Sequence, residues 1–302
     1  ALYNEKEHRY ATSEEEAILR SYSGFGGIKA ILNPIGKPDD INRWQKSETD
    51  LFPLVQDLHE VLREYSETPE QYKRYVNSLK ASVLTAFYTP EPVVNAISDS
   101  LRESDIRPKW FLDPSAGTGA FIDSFKRMKH RFGVTGFEKD LITGKILSQL
   151  YPDPGDNIRI EGYEKLEGRY SQYYDVIASN IPFGDTAVFD PLLSNHSEQA
   201  VKQSTQAIHN YFFVKSAMSI RSGGLIAFIT SQGVLNSEQN KPVRELLMRS
   251  CDLVSAIRLP NNLFTEHAGT EVGSDLIIRQ RNNKHIEPTK RQQDFIENRK
   301  LS

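Results

Sequence analysis

The tetrapeptide Asn180-Ile181-Pro182-Phe183 stands directly behind an apolar run, residues 174–179, and combines residue types able to hold a planar amine and make it react. An Asn side-chain oxygen and the Ile181 carbonyl can both accept from one exocyclic NH2, and Phe183 offers a face to the ring that carries it. Pro182 restrains Ile181 to extended geometry. The chemistry implied is alkyl transfer to an aromatic amine. Alone, the four residues equally describe a strand ending in a proline turn, so their meaning depends on what else reaches the same place.

Two other segments are phased to reach it. Residues 111–121, Phe-Leu-Asp-Pro-Ser-Ala-Gly-Thr-Gly-Ala-Phe, follow an apolar run and open a helix. Gly117 and Gly119 lack a Cβ, so backbone N–H groups there can approach a negative group such as a carboxylate at the helix N-terminus. No Gly-Lys-Ser/Thr follows, which argues against nucleoside triphosphate hydrolysis. Glu138 lies about twenty residues beyond Gly119, the interval at which a nucleotide-binding α/β fold places the acid that grips ribose hydroxyls. Together these features favour a nucleoside cofactor, NAD or S-adenosylmethionine. The amine clamp at Asn180 decides for the second, because hydride transfer has no use for it.

The elements that must position these groups are legible as well. From about residue 83, short apolar runs alternate with helical stretches, which predicts an α/β fold: a doubly wound, Rossmann-like parallel sheet. Seven strands are expected, at 110–113, 134–138, 157–161, 174–179, 224–230, 253–259 and 274–279. Ligands on such sheets bind beyond the carboxyl ends of the strands. Residues 1–82 read as an N-terminal helical region, 83–284 as the catalytic domain and 285–302 as a polar tail. Ser13 with Glu16, and Thr68 with Gln71, look like capping boxes. Leu51, Leu54, Val55, Leu58, Val61, Leu62 and Tyr65 recur at helical spacing and are read as core residues. Residues 23–27, Ser-Gly-Phe-Gly-Gly, read as a turn without a phosphate-binding role, since no strand precedes them.

Composition narrows the field further. The chain has 302 residues, 38% hydrophobic and 25% charged, which fits one large α/β domain plus a smaller element. No apolar run approaches the length of a membrane span, so no membrane association is expected. A single cysteine, Cys251, excludes an internal disulfide and a cysteine-based zinc site, and suits a reducing cytoplasm. The formal net charge is −3, so nucleic-acid affinity has to be local, with residues 126–131 and 279–291 as candidate basic patches, or borrowed from elsewhere. A non-Met start and a polar end suggest a portion of something longer.

With these motifs in place, the chain resembles the amino-methylating, S-adenosylmethionine-dependent DNA methyltransferases, whose hallmarks are Asp-Pro-x-x-Gly-x-Gly-x-Phe and Asn-Pro-Pro-Tyr/Phe. The resemblance covers roughly residues 84–281. Segments 24–27, 180–184, 209–213 and 269–272 are similar to a branch found in large helicase-fused methylases of phages and conjugative elements. The resemblance assigns Thr89, Asp113, Ala116, Gly117, Gly119 and Phe121 to the methionine moiety of the cofactor and Glu138 to its ribose. Tyr88, Ser115 and Lys139 fall beside them in the cofactor site. Asn180 and Phe183 go to the target base, with Asn180 also bordering the cofactor.

Two positions depart from the family pattern. Ile181 replaces the first proline but keeps the carbonyl that must accept the second amine hydrogen. After the third strand, where an Asp commonly reads the cofactor adenine, this chain has Tyr163, able to pack on the adenine, and Glu164, able to accept from its amine. The expected reaction is direct in-line methyl transfer to adenine in DNA, with the base flipped from the duplex. It requires no metal. Residues 185–207 could cover the flipped base, and target recognition is expected from further domains or subunits. Methylation of RNA or of a protein glutamine, and a non-catalytic DNA-binding role, remain as alternatives.

Overall fold

The structure is a computed structural model that describes residues 1–85, 89–231, 237–260, 273–282 and 288–297. Tyr88, with its neighbours Ala86 and Phe87, and the segment 269–272 lie outside the described residues. The described helices are α1 (Leu2–Lys6), α2 (Ser13–Arg20), α3 (Phe52–Glu64), α4 (Pro69–Thr85), α5 (Glu91–Glu103), α6 (Ala120–Lys126), α7 (Leu141–Leu150), α8 (Pro191–Ser194), α9 (Gln199–Ser204), α10 (Ile208–Ser219), α11 (Lys241–Ser250) and α12 (Lys290–Glu297). The strands are β1 (Trp110–Asp113), β2 (Gly133–Phe137), β3 (Asp156–Arg159), β4 (Tyr174–Asn180), β5 (Ile220–Ser231), β6 (Cys251–Arg258) and β7 (Ser274–Arg281).

All seven expected strands form, in the order β3-β2-β1-β4-β5-β7-β6. The first five are parallel, but β7 runs antiparallel between β5 and β6. The sheet is therefore mixed where the sequence pattern implied a parallel one. Apolar runs report burial and length, not direction, so the reversal had no signal.

Side chains alternate between two core layers. Leu112, Ile177, Ile226 and Phe228 face one layer together with α10 and α11. Phe111, Val176, Ala178, Leu225 and Ala227 face the other, with α5, α6 and α7. Helix α10 is almost wholly buried, with His209, Asn210 and Lys215 among its buried residues.

The N-terminal helices form a third cluster around Trp44, Phe52, Val55, Leu62, Tyr75 and Leu79. Within the α3 stripe, Val55 and Leu62 are buried but Leu54 and Val61 are exposed. Those seven positions span more than one helix face, so reading them all as core was too generous. The box at α2 is formed by Thr12 and Glu15, one residue earlier than expected, because Thr12 is extended and Glu15 returns its carboxylate to the Thr12 N–H.

Of the expected polar tail, residues 288–297 are described. Within them α12 docks through Arg244, which donates to the Ile296 carbonyl, and through Arg279, whose guanidinium lies 5.2 Å from the Phe295 ring centroid. The basic run 126–131 sits near the amino end of β2, away from the strand ends where ligands bind. There Lys126 pairs with Asp156 and Arg127 approaches Asp99. Arg279, the first of the second candidate patch, is buried.

Candidate active site

β1 and β4 are neighbouring parallel strands, so the segments leaving their carboxyl ends meet. Asp113 closes β1 and is fully buried. Its Oδ1 accepts from Ser179 Oγ at 2.6 Å and from the Ser115 N–H at 3.1 Å. Its Oδ2 is buried without a hydrogen-bond partner among the described residues. Burial pushes this carboxyl up to about 7, against the pull of those two bonds. Ser179 immediately precedes Asn180, so one hydrogen bond ties the end of β1 to the Asn-Ile-Pro-Phe turn.

The glycine loop after Asp113 is shaped by its own amides. Ala116 N–H donates to Phe137 O, Gly119 N–H to Ala116 O, and Gly117 N–H to Glu138 Oε2, each at 2.8 Å. The expectation that the two glycine amides stay open to a ligand carboxylate is thus corrected: they join the loop to itself and to β2. What the glycines supply is conformation, with φ of 55° at Gly117 and 95° at Gly119.

A Cβ on Gly119 would also lie 2.3 Å from Tyr151 Oη, and that hydroxyl donates to the Gly119 carbonyl at 3.0 Å. Gly119→Ala is therefore expected to destabilise the fold by about 1–3 kcal/mol and to weaken cofactor binding. Urea denaturation and cofactor titration check both. An unchanged midpoint would refute the clash.

Glu138 takes the Gly117 N–H on Oε2 and the Asp140 N–H on Oε1 at 2.7 Å. A lone pair remains on each oxygen, which suits the two hydroxyls of a ribose. Burial pushes its pKa up to about 7, with the Asp140 and Asp113 charges adding to the rise. Asp140 caps α7 through Thr143 N and accepts from Ser78 Oγ of α4 at 2.5 Å, so the N-terminal helices brace this loop.

On the acceptor side, Asn180 is half-buried in register with Ile229. The Ile181 N–H donates to Ile229 O at 3.0 Å and the Ile181 side chain is 1% exposed, which holds the following peptide in place. Pro182 and Phe183 are half-buried.

Thr89 is buried at the start of the α5 segment, its hydroxyl without a partner among the described residues. Phe121 packs in the core beneath the loop. Exposed Lys139 reaches Glu164 at 3.7 Å.

Tyr163 is where the reading fails. It is 2% exposed, with its ring among Phe137, Tyr211 and Phe212 and its hydroxyl 3.2 Å from Ser216 Oγ. Three aromatic neighbours enclose it more completely than a ligand edge would, and the short helix at Tyr163–Lys165 leaves Glu164 on the outer side. Ser179, Asp140, Ser78, Tyr151 and His209 also shape this region, and none of them is among the residues assigned above to the cofactor or the target base. Only Ser179, beside Asn180 at a strand end, had a sequence signal. Among the described residues no cluster of His, Cys, Asp or Glu could hold a metal ion, and no helix is long and apolar enough to cross a membrane.

A family model described as N-6 DNA Methylase matches residues 69–302. The chain belongs to this family. As an N-6 DNA methylase family member it is 25% identical, over 81% of its length, to the type I restriction enzyme EcoEI methylase subunit of Escherichia coli, covering 56% of that protein. It is 24% identical over 65% of its length to the defense against restriction protein B of Escherichia phage P1, of which it covers 8%. The chain thus spans little more than half of the one and a small part of the other.

Solved structures share the fold, two of them as follows. A modification subunit of a putative type I restriction enzyme from Vibrio vulnificus aligns over 77% of this chain and 53% of its own, with TM-score 0.53 at 21% identity. A putative class I S-adenosylmethionine-dependent methyltransferase from Listeria monocytogenes aligns over 83% of this chain and 80% of its own, with TM-score 0.53 at 16% identity.

Proposed function

We propose that the chain transfers a methyl group from S-adenosylmethionine to the exocyclic amine of adenine in DNA. The observation that carries this is the 2.6 Å Ser179–Asp113 hydrogen bond, which holds the amine-accepting turn against a buried carboxylate with an oxygen still to be satisfied. The residues fit the cofactor. Asp113 Oδ2 and the Thr89 hydroxyl are buried polar atoms of the kind a ligand's ammonium and carboxylate satisfy. Glu138 has acceptors for ribose hydroxyls, and Glu164 has one for an adenine amine. When bound, S-adenosylmethionine supplies an electrophilic methyl on a positively charged sulfur.

The chain's own residues prepare the nucleophile. An adenine amine is a poor one, because its lone pair is delocalised into the ring. The Asn180 amide oxygen and the Ile181 carbonyl, accepting one hydrogen each, draw the nitrogen towards tetrahedral geometry and stabilise the positive charge that develops on it. Phe183 holds the ring so that the amine and the methyl are in line. The proton leaves afterwards, when its pKa has collapsed. In a duplex the base must first be extruded, at a cost of a few kcal/mol. The relatives named as subunits of restriction enzymes support DNA as the substrate and further subunits or domains as the source of target recognition.

Incubation with labelled S-adenosylmethionine and unmethylated DNA, with RNA and protein offered in parallel, then digestion of the DNA to nucleosides, is expected to yield labelled N6-methyl-2′-deoxyadenosine. Label confined to cytosine, RNA or protein would overturn the reading.

Cofactor binding should also release protons. With Asp113 and Glu138 both pushed up to about 7, each is partly protonated near neutrality, and a ligand carrying an ammonium and a sulfonium favours the ionised forms. Calorimetry at pH 7 in buffers of different ionisation enthalpy is expected to show release of about one proton, and none would contradict it. The sign for stability follows. A carboxyl raised in the folded state stabilises the ligand-free fold below the ordinary carboxylate range, and that contribution is lost as pH rises through about 7.

A further inference from the structure

His209, at the start of α10, is 2% exposed, and its two ring nitrogens face different segments. Nδ1 lies 3.0 Å from the carbonyl oxygen of Gly184, the residue that follows Phe183. Nε2 lies 3.3 Å from Asn240 Nδ2, and Asn240 Oδ1 accepts from Asn210 Nδ2 at 2.7 Å. The three side chains form a chain whose direction is set at one end. A carbonyl can only accept, so Nδ1 carries the proton. Nε2 of a neutral ring must then accept, so Asn240 presents its NH2 there and its oxygen to Asn210. With the Asn240 NH2 turned to Nε2, all three bonds are satisfied by a neutral His209 protonated on Nδ1. Burial, which lowers the His209 pKa against the Gly184 carbonyl and the Asp185 charge, works in the same direction.

We propose that His209, as the neutral Nδ1–H tautomer, is a positioning residue for methyl transfer: it pins the exit of the Asn-Ile-Pro-Phe turn and couples it, through Asn240, to the segment after β5. The turn is then fixed at both ends. At its start the Ile181 N–H is held by Ile229 O, and at its exit the Gly184 C=O is held by His209. Gly184 sits at φ 113°, with open space around it, so no contact with a Cβ replaces the hydrogen bond as a restraint. Loss of the bond frees the peptides that carry Phe183 and the Ile181 carbonyl. The cofactor loop at β1 and β2 is built from other residues and is untouched. The effect therefore falls on turnover, not on cofactor affinity.

This inference rests on the methyl-transfer reading, and two measurements separate the two. The first is independent of activity. Nitrogen-detected NMR of the histidine-labelled wild type should show His209 protonated on Nδ1 and bare on Nε2, the minority tautomer of free histidine. An Nε2–H ring overturns the proposal even if the enzyme methylates DNA. The second is kinetic. His209→Leu is expected to lower kcat by about 10–100-fold with the S-adenosylmethionine Kd within about 3-fold of wild type. His209→Asn, whose amide nitrogen falls near the Nδ1 position, is expected to recover most of the loss. Equal kcat in wild type and the Leu variant, or an Asn variant as slow as the Leu variant at the same thermal stability, overturns it. If His209→Leu does not fold, the tautomer and the Asn variant alone decide. A wild type inactive on DNA with the Nδ1–H tautomer intact sinks the functional reading and leaves the hydrogen-bond chain standing.

Discussion

Asn180→Ala is expected to lower methyl transfer by about 10²–10³-fold, the range seen when one preorganised hydrogen-bonding group is removed from a charge-stabilising site. The side chain stands at the last position of β4, half-buried, while the backbone around it is held by the β4–β5 ladder and by Ile181 N–H to Ile229 O. Truncation at Cβ leaves that ladder and the Ser179–Asp113 bond in place, so the fold and the cofactor end of the site should survive. What disappears is one of two acceptors for the target amine. The Ile181 carbonyl alone can hold one hydrogen but cannot draw the nitrogen out of the ring plane from both sides. Single-turnover rates with labelled cofactor, set beside cofactor affinity, separate these effects. Transfer that survives the substitution at near wild-type rate would sink the mechanism.

The second large effect concerns stability. Lys215 and Asp190 form an ion pair at 2.6 Å, with side chains 5% and 2% exposed. Asp190 also accepts from Tyr211 Oη at 2.8 Å and caps α8 through the Leu192 N–H at 2.9 Å. Burial alone would raise its carboxyl, but the Lys215 ammonium and the Tyr211 hydroxyl hold it below the usual range. Lys215→Met leaves that carboxylate buried without its cation and is expected to cost about 3–5 kcal/mol. Since Asp190 anchors residues 185–207 to α10, the loss should appear first as increased proteolysis of that segment. Urea unfolding measures the total. Adding Asp190→Leu to Lys215→Met should cost less than the two single losses summed, because no unpaired charge remains. Strict additivity would show that the pair is not coupled.

Most strands were legible as short apolar runs, and β1 lies at the predicted limits, although β3 has one apolar residue in four. The donor and acceptor motifs were legible for a related reason: chemistry at the carboxyl end of a strand needs particular residue types directly after an apolar run. Thus the places of Asp113, Gly117, Gly119, Glu138 and Asn180 at strand ends could all be read from one dimension. Tyr163 could not be placed, because an aromatic at a strand end serves equally as a ligand wall or as a core residue. Its surroundings, Phe137 of β2 and Tyr211 and Phe212 of α10, come from two distant parts of the chain. Lys215 and Asp190, twenty-five positions apart, carry no local sign of pairing.

The sequence by itself determined that a glycine loop, the acid Glu138 and the Asn-Ile-Pro-Phe turn end three strands of one sheet, because period, residue type and interval are local properties. Only the tertiary structure decided that β1 and β4 lie side by side, that Ser179 joins them, that the last strand reverses, and that His209 rather than a neighbour of the turn holds its exit. Each of these depends on which groups remain unsatisfied after the chain has collapsed. A buried donor finds its acceptor by proximity in space, and no spacing along the chain records that.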